Sequence, residues 1–370
     1  MLFSKSFEAC RIFGKRQHAK TFCNLPDISR RVLKTAFDKG IFPPSRLIPM
    51  MPGMTLHAPC ATPPAIGRRI IVTGCDHTYF HLVDELVASI RDHADTPIGV
   101  IDCGMTAEQV ARLQGQGIQI IAPHIPDYAP ERAIRNRPSL AINISKLWLD
   151  QMLPEFDLIA WLDADTWVQD GRALEQVFAA GEGRALAIVP EIGAKIANLL
   201  GVRWICPGWM QIRSFLYKNA SRARLPFHIR KRIGAKPLLN AGVFCLHRNA
   251  TIWPVLRRWQ ALILPRRGMA FTQDQLCMAL AVYIDGQPVT FLDNSHNYLG
   301  PWLLDETTGQ LANLFFPHPP VGIVHMASQK AMRSALENTM TIPTVQGGQV
   351  AVNLRYAGMR QFWRNRSETV

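Results

Sequence analysis

Long apolar runs are missing from this 370-residue chain. No stretch approaches the roughly 18 residues that a membrane-spanning helix needs. The basic N-terminal segment lacks a continuous apolar stretch as well, so it makes a poor secretory signal. None of the eight cysteines, Cys10, Cys23, Cys60, Cys75, Cys103, Cys206, Cys245 and Cys277, belongs to a Cys-x-x-Cys pair. That argues against a structural zinc site, and several lie in apolar runs where a free thiol behaves as a small hydrophobe. The expectation is a reducing, cytoplasmic compartment. No internal repeat is visible, and no Gly-x-Gly-x-x-Gly follows the first strand pattern, which disfavours a nicotinamide-dependent dehydrogenase. Acidic residues are scarce beside basic ones, 28 against 41, for a net charge of +13. The excess favours an anionic partner: a phosphate-rich substrate, an acidic lipid or a nucleic acid. The basic residues fall in small scattered clusters such as Arg230–Arg232, Arg257–Arg258 and Arg266–Arg267. These read as solvated faces, and no nucleic-acid motif accompanies them, so no nucleic-acid partner is expected.

Hydrophobic residues make up 48% of the chain and charged residues 19%, which suits a globular protein with a core. Residues 1–65 read as an N-terminal extension. It has a candidate short helix at Asp27–Lys39 and a proline-rich linker from Ile41 to Pro64. The regular pattern begins at Arg69. The β-branched run Ile70–Thr73 ends in Gly74 and predicts a buried strand. Apolar positions Phe80, Leu82, Val83, Leu86, Val87 and Ile90 then mark one face of a helix over Phe80–His93. Further strands are expected at Pro97–Ile101, Ile118–Ala122, Leu158–Leu162, Ala185–Val189 and Gly242–Leu246. Helices are expected at Thr106–Gly115, where Thr106 and Gln109 form a capping box, and from about Ala141 to Met152. Alternating strands and helices imply an α/β fold: one doubly wound, mostly parallel sheet over residues 66–330.

The segment Asp163–Ala164–Asp165 follows five consecutive apolar residues, Leu158–Leu162. In extended backbone, residues two apart face the same side. Both carboxylates can then enter the crevice at the strand's carboxyl end, where open α/β sheets bind ligands. Two hard oxygen ligands suit Mn²⁺ or Mg²⁺ coordinating substrate phosphates, and a diphosphate leaving group needs such a cation. Two exposed acids in an ordinary turn would satisfy the same tripeptide.

From here an ordered series of short motifs over residues 69–330 resembles glycosyltransferase family 8, retaining enzymes of the GT-A fold. The segment Ile71–Tyr79 is similar to the family's opening strand and loop, which implies that Thr73, Asp76 and Tyr79 hold the nucleotide. Ser139–Leu149 resembles the helix that offers a basic residue to the donor. Lys146 takes that place, where the family more often has Arg; a lysine on an exposed face fits the local sequence equally. Asp163 and Asp165 match the family's metal motif. Leu239–Phe244 resembles a strand in which Asn240 binds the donor sugar and Gly242 lets backbone approach it. Thr272–Gln275 resembles the segment near the anomeric carbon. Asp274 and Gln275 match as catalytic residues, although a one-residue shift would substitute Gln273, and Ala279 stands where the family has Asn. Val324–Lys330 resembles the last motif, with His325 as third metal ligand and Lys330 on the diphosphate. Ser328 replaces the family's Gly, and Lys330 stands five rather than six residues after the His.

The resemblance implies metal-dependent transfer of a hexosyl group from a nucleotide-sugar, in all expectation a UDP-sugar, to an acceptor hydroxyl with retention. The acceptor would be a glycan or glycolipid. An inverting enzyme with Asp274 as base and a non-catalytic nucleotide-sugar binder are the competing readings. Residues 331–370 form a basic tail in which aromatics alternate with arginines. A helix there would either lie on an anionic membrane, as a peripheral contact on the inner face, or pack on the domain with a solvated basic edge.

Overall fold

The computed structural model describes residues 67–192, 200–206, 209–266 and 269–367. The expected extension 1–65, with its Asp27–Lys39 helix and its linker, lies outside the described residues, as do Cys10, Cys23, Cys60 and Arg267. The chain divides into two units, Met1–Pro63 and Pro64–Val370, and the description concerns the second.

In chain order the strands are β1 (Arg69–Cys75), β2 (Ile98–Asp102), β3 (Gln119–Ile121), β4 (Leu158–Leu162) and β5 (Thr166–Val168). They continue as β6 (Leu186–Glu191), β7 (Leu200–Cys206), β8 (Trp209–Ser214), β9 (Leu238–His247) and β10 (Val289–Phe291). The last are β11 (Trp302–Leu304), β12 (Leu311–Asn313), β13 (Ile323–His325), β14 (Met340–Pro343) and β15 (Gln349–Val352). Seven of them form the central sheet in the order β10-β6-β9-β4-β1-β2-β3. All neighbours are parallel except β9, which runs antiparallel to both β4 and β6. The fold is therefore α/β with a mostly parallel sheet.

Strand β4 is apolar at every position because it is buried on both faces. Ile159 and Trp161 join one core layer with Ile70, Val72 and Phe244. Leu158, Ala160 and Leu162 join the other with Ile71, Val83 and Leu86. The Phe80–Arg91 helix covers that second face through Val83, Leu86, Val87 and Ile90, as its periodicity predicts. Thr106 caps the Ala107–Gly115 helix with both capping-box bonds in place. The stretch expected as one helix from Ala141 to Met152 is instead interrupted. A 3₁₀ turn at Lys146–Trp148 separates Leu140–Ser145 from Leu149–Met152.

The order of the strands locates a crevice. Strands β1, β2 and β3 step one way across the sheet, whereas β4 pairs on the other side of β1. Adjacent loops therefore diverge at the carboxyl ends of β1 and β4, the switch point at which such sheets bind ligands. A short ladder, β5 antiparallel to β13, lies beyond that edge and pairs His325 with Thr166. A third apolar cluster backs it, formed by Trp167, Tyr298, Trp302, Val324, Tyr356 and Met359 among others.

The C-terminal residues belong to this cluster. The Tyr356–Ser367 helix buries Tyr356 and Met359, packs Phe362 and Trp363 inward, and leaves Arg360 exposed. Trp363 Nε1 donates to the Gly309 carbonyl at 2.7 Å, and Trp167 Nε1 donates to the Leu354 carbonyl at 2.8 Å. Arg355, itself buried, forms an ion pair with Glu85. The aromatic residues that the sequence offered to a membrane thus pack on the domain. Among the described residues no helix is long and apolar enough to cross a membrane.

Candidate metal and donor site

The backbone leaves β4 at Leu162 and turns at once. Thr166 N and Thr166 Oγ1 both donate to the Asp163 carbonyl, at 2.9 and 2.7 Å. Asp163 and Asp165 thus converge through a tight turn, rather than through the extended backbone that their spacing suggested. Asp163 N is held by the Gly242 carbonyl of β9 at 2.8 Å, and Met326 N donates to the Asp165 carbonyl at 2.9 Å. The turn is consequently clamped between the sheet and the end of β13.

One carboxylate oxygen of Asp163 is anchored and the other is left for the crevice. Oδ1 accepts from Trp161 Nε1 at 2.8 Å and from Lys146 Nζ at 2.7 Å. Oδ2 lies 4.0 Å from His325 Nε2. Asp165 Oδ1 lies 3.3 Å from the same nitrogen. One ligand atom from each of Asp163, Asp165 and His325 falls within a group no more than 4.8 Å across. His325 Nδ1 faces Asn297 Oδ1 at 2.7 Å. A carbonyl oxygen accepts, so Nδ1 donates to it, and this bond turns Nε2 toward the two carboxylates. Metal-ligating histidines are oriented by such a second hydrogen bond. Two hard oxygens and one imidazole nitrogen suit Mn²⁺ or Mg²⁺, and these residues would hold the ion.

Lys146 is not a surface lysine. It is fully buried, with its ammonium 2.7 Å from Asp163, 3.3 Å from Asp274, and 4.8 Å from the centre of the Trp161 ring. The break in the helix places it at this point in the interior. Burial opposes its charge, but the carboxylates of Asp163 and Asp274 outweigh it and raise its pKa. Burial raises the pKa of Asp274, which Lys146 only partly offsets. The two shifts are compatible because a single ammonium serves two carboxylates. Asp274 is the second residue of the Gln273–Tyr283 helix and is 3% exposed. It is thus a buried partner of Lys146.

The two candidate glutamines of this helix have different surroundings. Gln273 is buried, donates to the Asn143 carbonyl and accepts from Gln260 Nε2 at 3.1 Å, so its amide is committed to the core. Gln275 is the half-exposed residue in an otherwise buried first turn. Asn240 donates to Glu191 at 2.7 Å and accepts from Gly242 N at 2.9 Å. Gly242 is also required by its neighbour. A Cβ there would stand 2.4 Å from His325 Cε1 and 2.7 Å from its Nδ1. The glycine makes room for the histidine ring.

At the end of β1, Thr73 is fully buried and its hydroxyl has no partner. Asp76 accepts from Thr78 N, Thr78 Oγ1 and Tyr79 N, which shapes the loop. Tyr79 is 39% exposed, with the Arg333 guanidinium 5.8 Å from its ring centre. Lys330 is exposed at the first position of the short Lys330–Ser334 helix. The cation of that helix that reaches the metal triad is Arg333, which forms an ion pair with Asp165 Oδ2. Burial would raise the Asp165 pKa, but His325 and Arg333 overcome it and hold the carboxyl below its ordinary value. Arg333 and Asn297 were missed from the sequence, as was Glu191. A small hollow of about 30 Å³ adjoins the site and is lined by Val189, Glu191, Asn297, Tyr298, Leu299 and Phe315, among others.

No family model matches the chain, and no curated protein does. Among solved structures it is similar to the apo form of the bifunctional glycosyltransferase WbbM, at 16% identity and a TM-score of 0.43. That match covers 72% of this chain and 47% of the other, so this chain spans about half of WbbM's length. It is also similar to the galactosyltransferase LgtC in complex with donor and acceptor sugar analogues, at 15% identity and a TM-score of 0.42. There the match covers 70% of this chain and 87% of LgtC. At this level of likeness, the function has to be argued from the site itself.

Proposed function

We propose that the chain is a metal-dependent glycosyltransferase of the GT-A type. It transfers a hexosyl group from a nucleotide-sugar, most simply a UDP-sugar, to a hydroxyl of a glycan or glycolipid acceptor. The observation that carries this reading is the convergence of Asp163, Asp165 and His325 at the switch point of the sheet. A cation held there supplies positive charge to the departing diphosphate. Thr73, Asp76 and Tyr79 border the same crevice from β1 and hold the base and ribose. An unpartnered buried hydroxyl at Thr73 and a partly exposed ring at Tyr79 suit that task.

Lys146 holds the Asp163 carboxylate in position, and Asp274 keeps Lys146 in place. Asn240 and Glu191 present a linked amide and carboxylate toward the sugar hydroxyls. Gln275 lines the anomeric centre, where its amide oxygen steadies developing positive charge. The bond from the anomeric carbon to the diphosphate oxygen breaks, and a bond to the acceptor oxygen forms on the same face. The acceptor proton passes to the leaving phosphate oxygen, so no protein base is required. The burial of Asp274 against Lys146 favours this retaining course over an inverting one.

Calorimetric titration of UDP into metal-free protein, with and without Mn²⁺, tests the reading. Binding should require Mn²⁺ and should be lost when Asp163 and Asp165 are both replaced by Ala. A wild-type protein that binds no UDP under either condition would remove the nucleotide-sugar assignment.

A further inference from the structure

Arg333 stands where two functions meet. Its guanidinium occupies Asp165 Oδ2, a carboxylate oxygen of the metal triad, while His325 takes Oδ1. The same group lies over Tyr79, in the loop that follows β1, 5.8 Å from the ring centre. Its Nε is buried without a partner. The backbone around it is fixed: His81 Nε2 donates to the Arg333 carbonyl at 2.8 Å, and Asn338 and Asn353 bind the carbonyls of Ala331 and Ala335. A side chain on a pinned backbone, spanning the space between base and metal positions, lies where the diphosphate of a nucleotide has to run.

We infer that Arg333 is a placeholder cation that yields Asp165 to the divalent ion and then clamps the diphosphate. The inference rests on the metal and nucleotide reading above. A guanidinium and a divalent cation compete for one carboxylate and repel each other at contact distance, so binding of the ion frees the arginine. Without an anion the freed guanidinium remains near a like charge. A diphosphate removes that penalty, because a planar fork of N–H donors matches phosphate oxygens. Metal alone is therefore opposed by Arg333, and metal with nucleotide is aided by it.

Two titrations separate the parts, in wild type, Arg333→Ala and Arg333→Gln. The first is Mn²⁺ alone, followed by the paramagnetic signal of the free ion. Both variants should bind Mn²⁺ about tenfold more tightly, as expected when a charge-assisted hydrogen bond that competes for the ligand is removed. The second is UDP at saturating Mn²⁺, for which both variants should bind about tenfold more weakly. Unchanged or weaker Mn²⁺ binding in both variants overturns the placeholder. Unchanged UDP affinity overturns the clamp. If wild type fails to bind UDP at all, the nucleotide reading falls, and with it the clamp, while the Mn²⁺ titration still decides whether Arg333 competes for Asp165.

Discussion

Gly242 has no room for a side chain beside the His325 ring. The nearest atoms to an added Cβ belong to the His325 ring and to Asn240 Oδ1. Gly242→Ala should therefore push the imidazole from its place against Asn297 Oδ1. We expect metal affinity to fall at least tenfold, as for the loss of an orienting contact behind a ligand. Overpacking should also cost about 1–3 kcal/mol of stability. Mn²⁺ titration and urea denaturation measure the two effects, and an alanine variant with unchanged Mn²⁺ affinity would refute the argument. At this scale the sequence carried much of the site. Asp163, Asp165 and His325 were nameable because a strand delivers each acid or imidazole to a loop. Lys146 was nameable only by resemblance, because nothing local distinguishes a lysine at a helix break from one on a surface. Arg333 was overlooked for Lys330, three residues earlier in the same short helix. Asn297 and Glu191 gave no signal, because a hydrogen bond to a ligand residue some 28 or 49 positions away leaves no local pattern.

The three-residue strands β5 and β13 connect residues about 155 positions apart and bring His325 alongside Thr166. Segments so short have no readable period, so the sequence showed β4 in full but not the ladder that completes the metal triad. The direction of β9 was hidden for a related reason. Its nine consecutive buried residues, Leu238 to Leu246, look alike whether the strand runs parallel or antiparallel. Trp167 ties the ladder to the C-terminal helix, through the Leu354 carbonyl and through ring contacts of 5.4 Å with Tyr356 and 6.2 Å with Trp363. Trp167→Ala should cost about 3–5 kcal/mol, the usual range for removing a buried indole. It should also weaken Mn²⁺ binding although no ligand is altered. Removing the chain from Val352 onward should do the same, and should lower the melting temperature before any effect on membranes is seen. Scanning calorimetry with Mn²⁺ titration tests this, and full metal affinity in the truncated chain would show that β5 stands without the helix.

Across the whole molecule the excess of basic residues, for a net charge of +13, contrasts with a site that is locally acidic. Among the described residues, Asp163, Asp165 and Asp274 form ion pairs with Lys146 and Arg333 as permanent cations. Such a cluster favours a divalent ion, and the ion in turn favours the diphosphate, so each ligand prepares the site for the next. The basic exterior raises the local concentration of an anionic nucleotide without specifying it. Folding stability should report this order. A ligand at about 100 times its dissociation constant adds about 2.7 kcal/mol. In thermal denaturation, UDP alone should leave the transition unmoved and Mn²⁺ alone should raise it modestly. The two together should raise it by more than the sum of their separate effects. An additive response would mean that metal and nucleotide bind without reference to one another. In that case Asp165, His325 and Arg333 would form a cation site that happens to lie beside the crevice, rather than the part of it that receives the diphosphate.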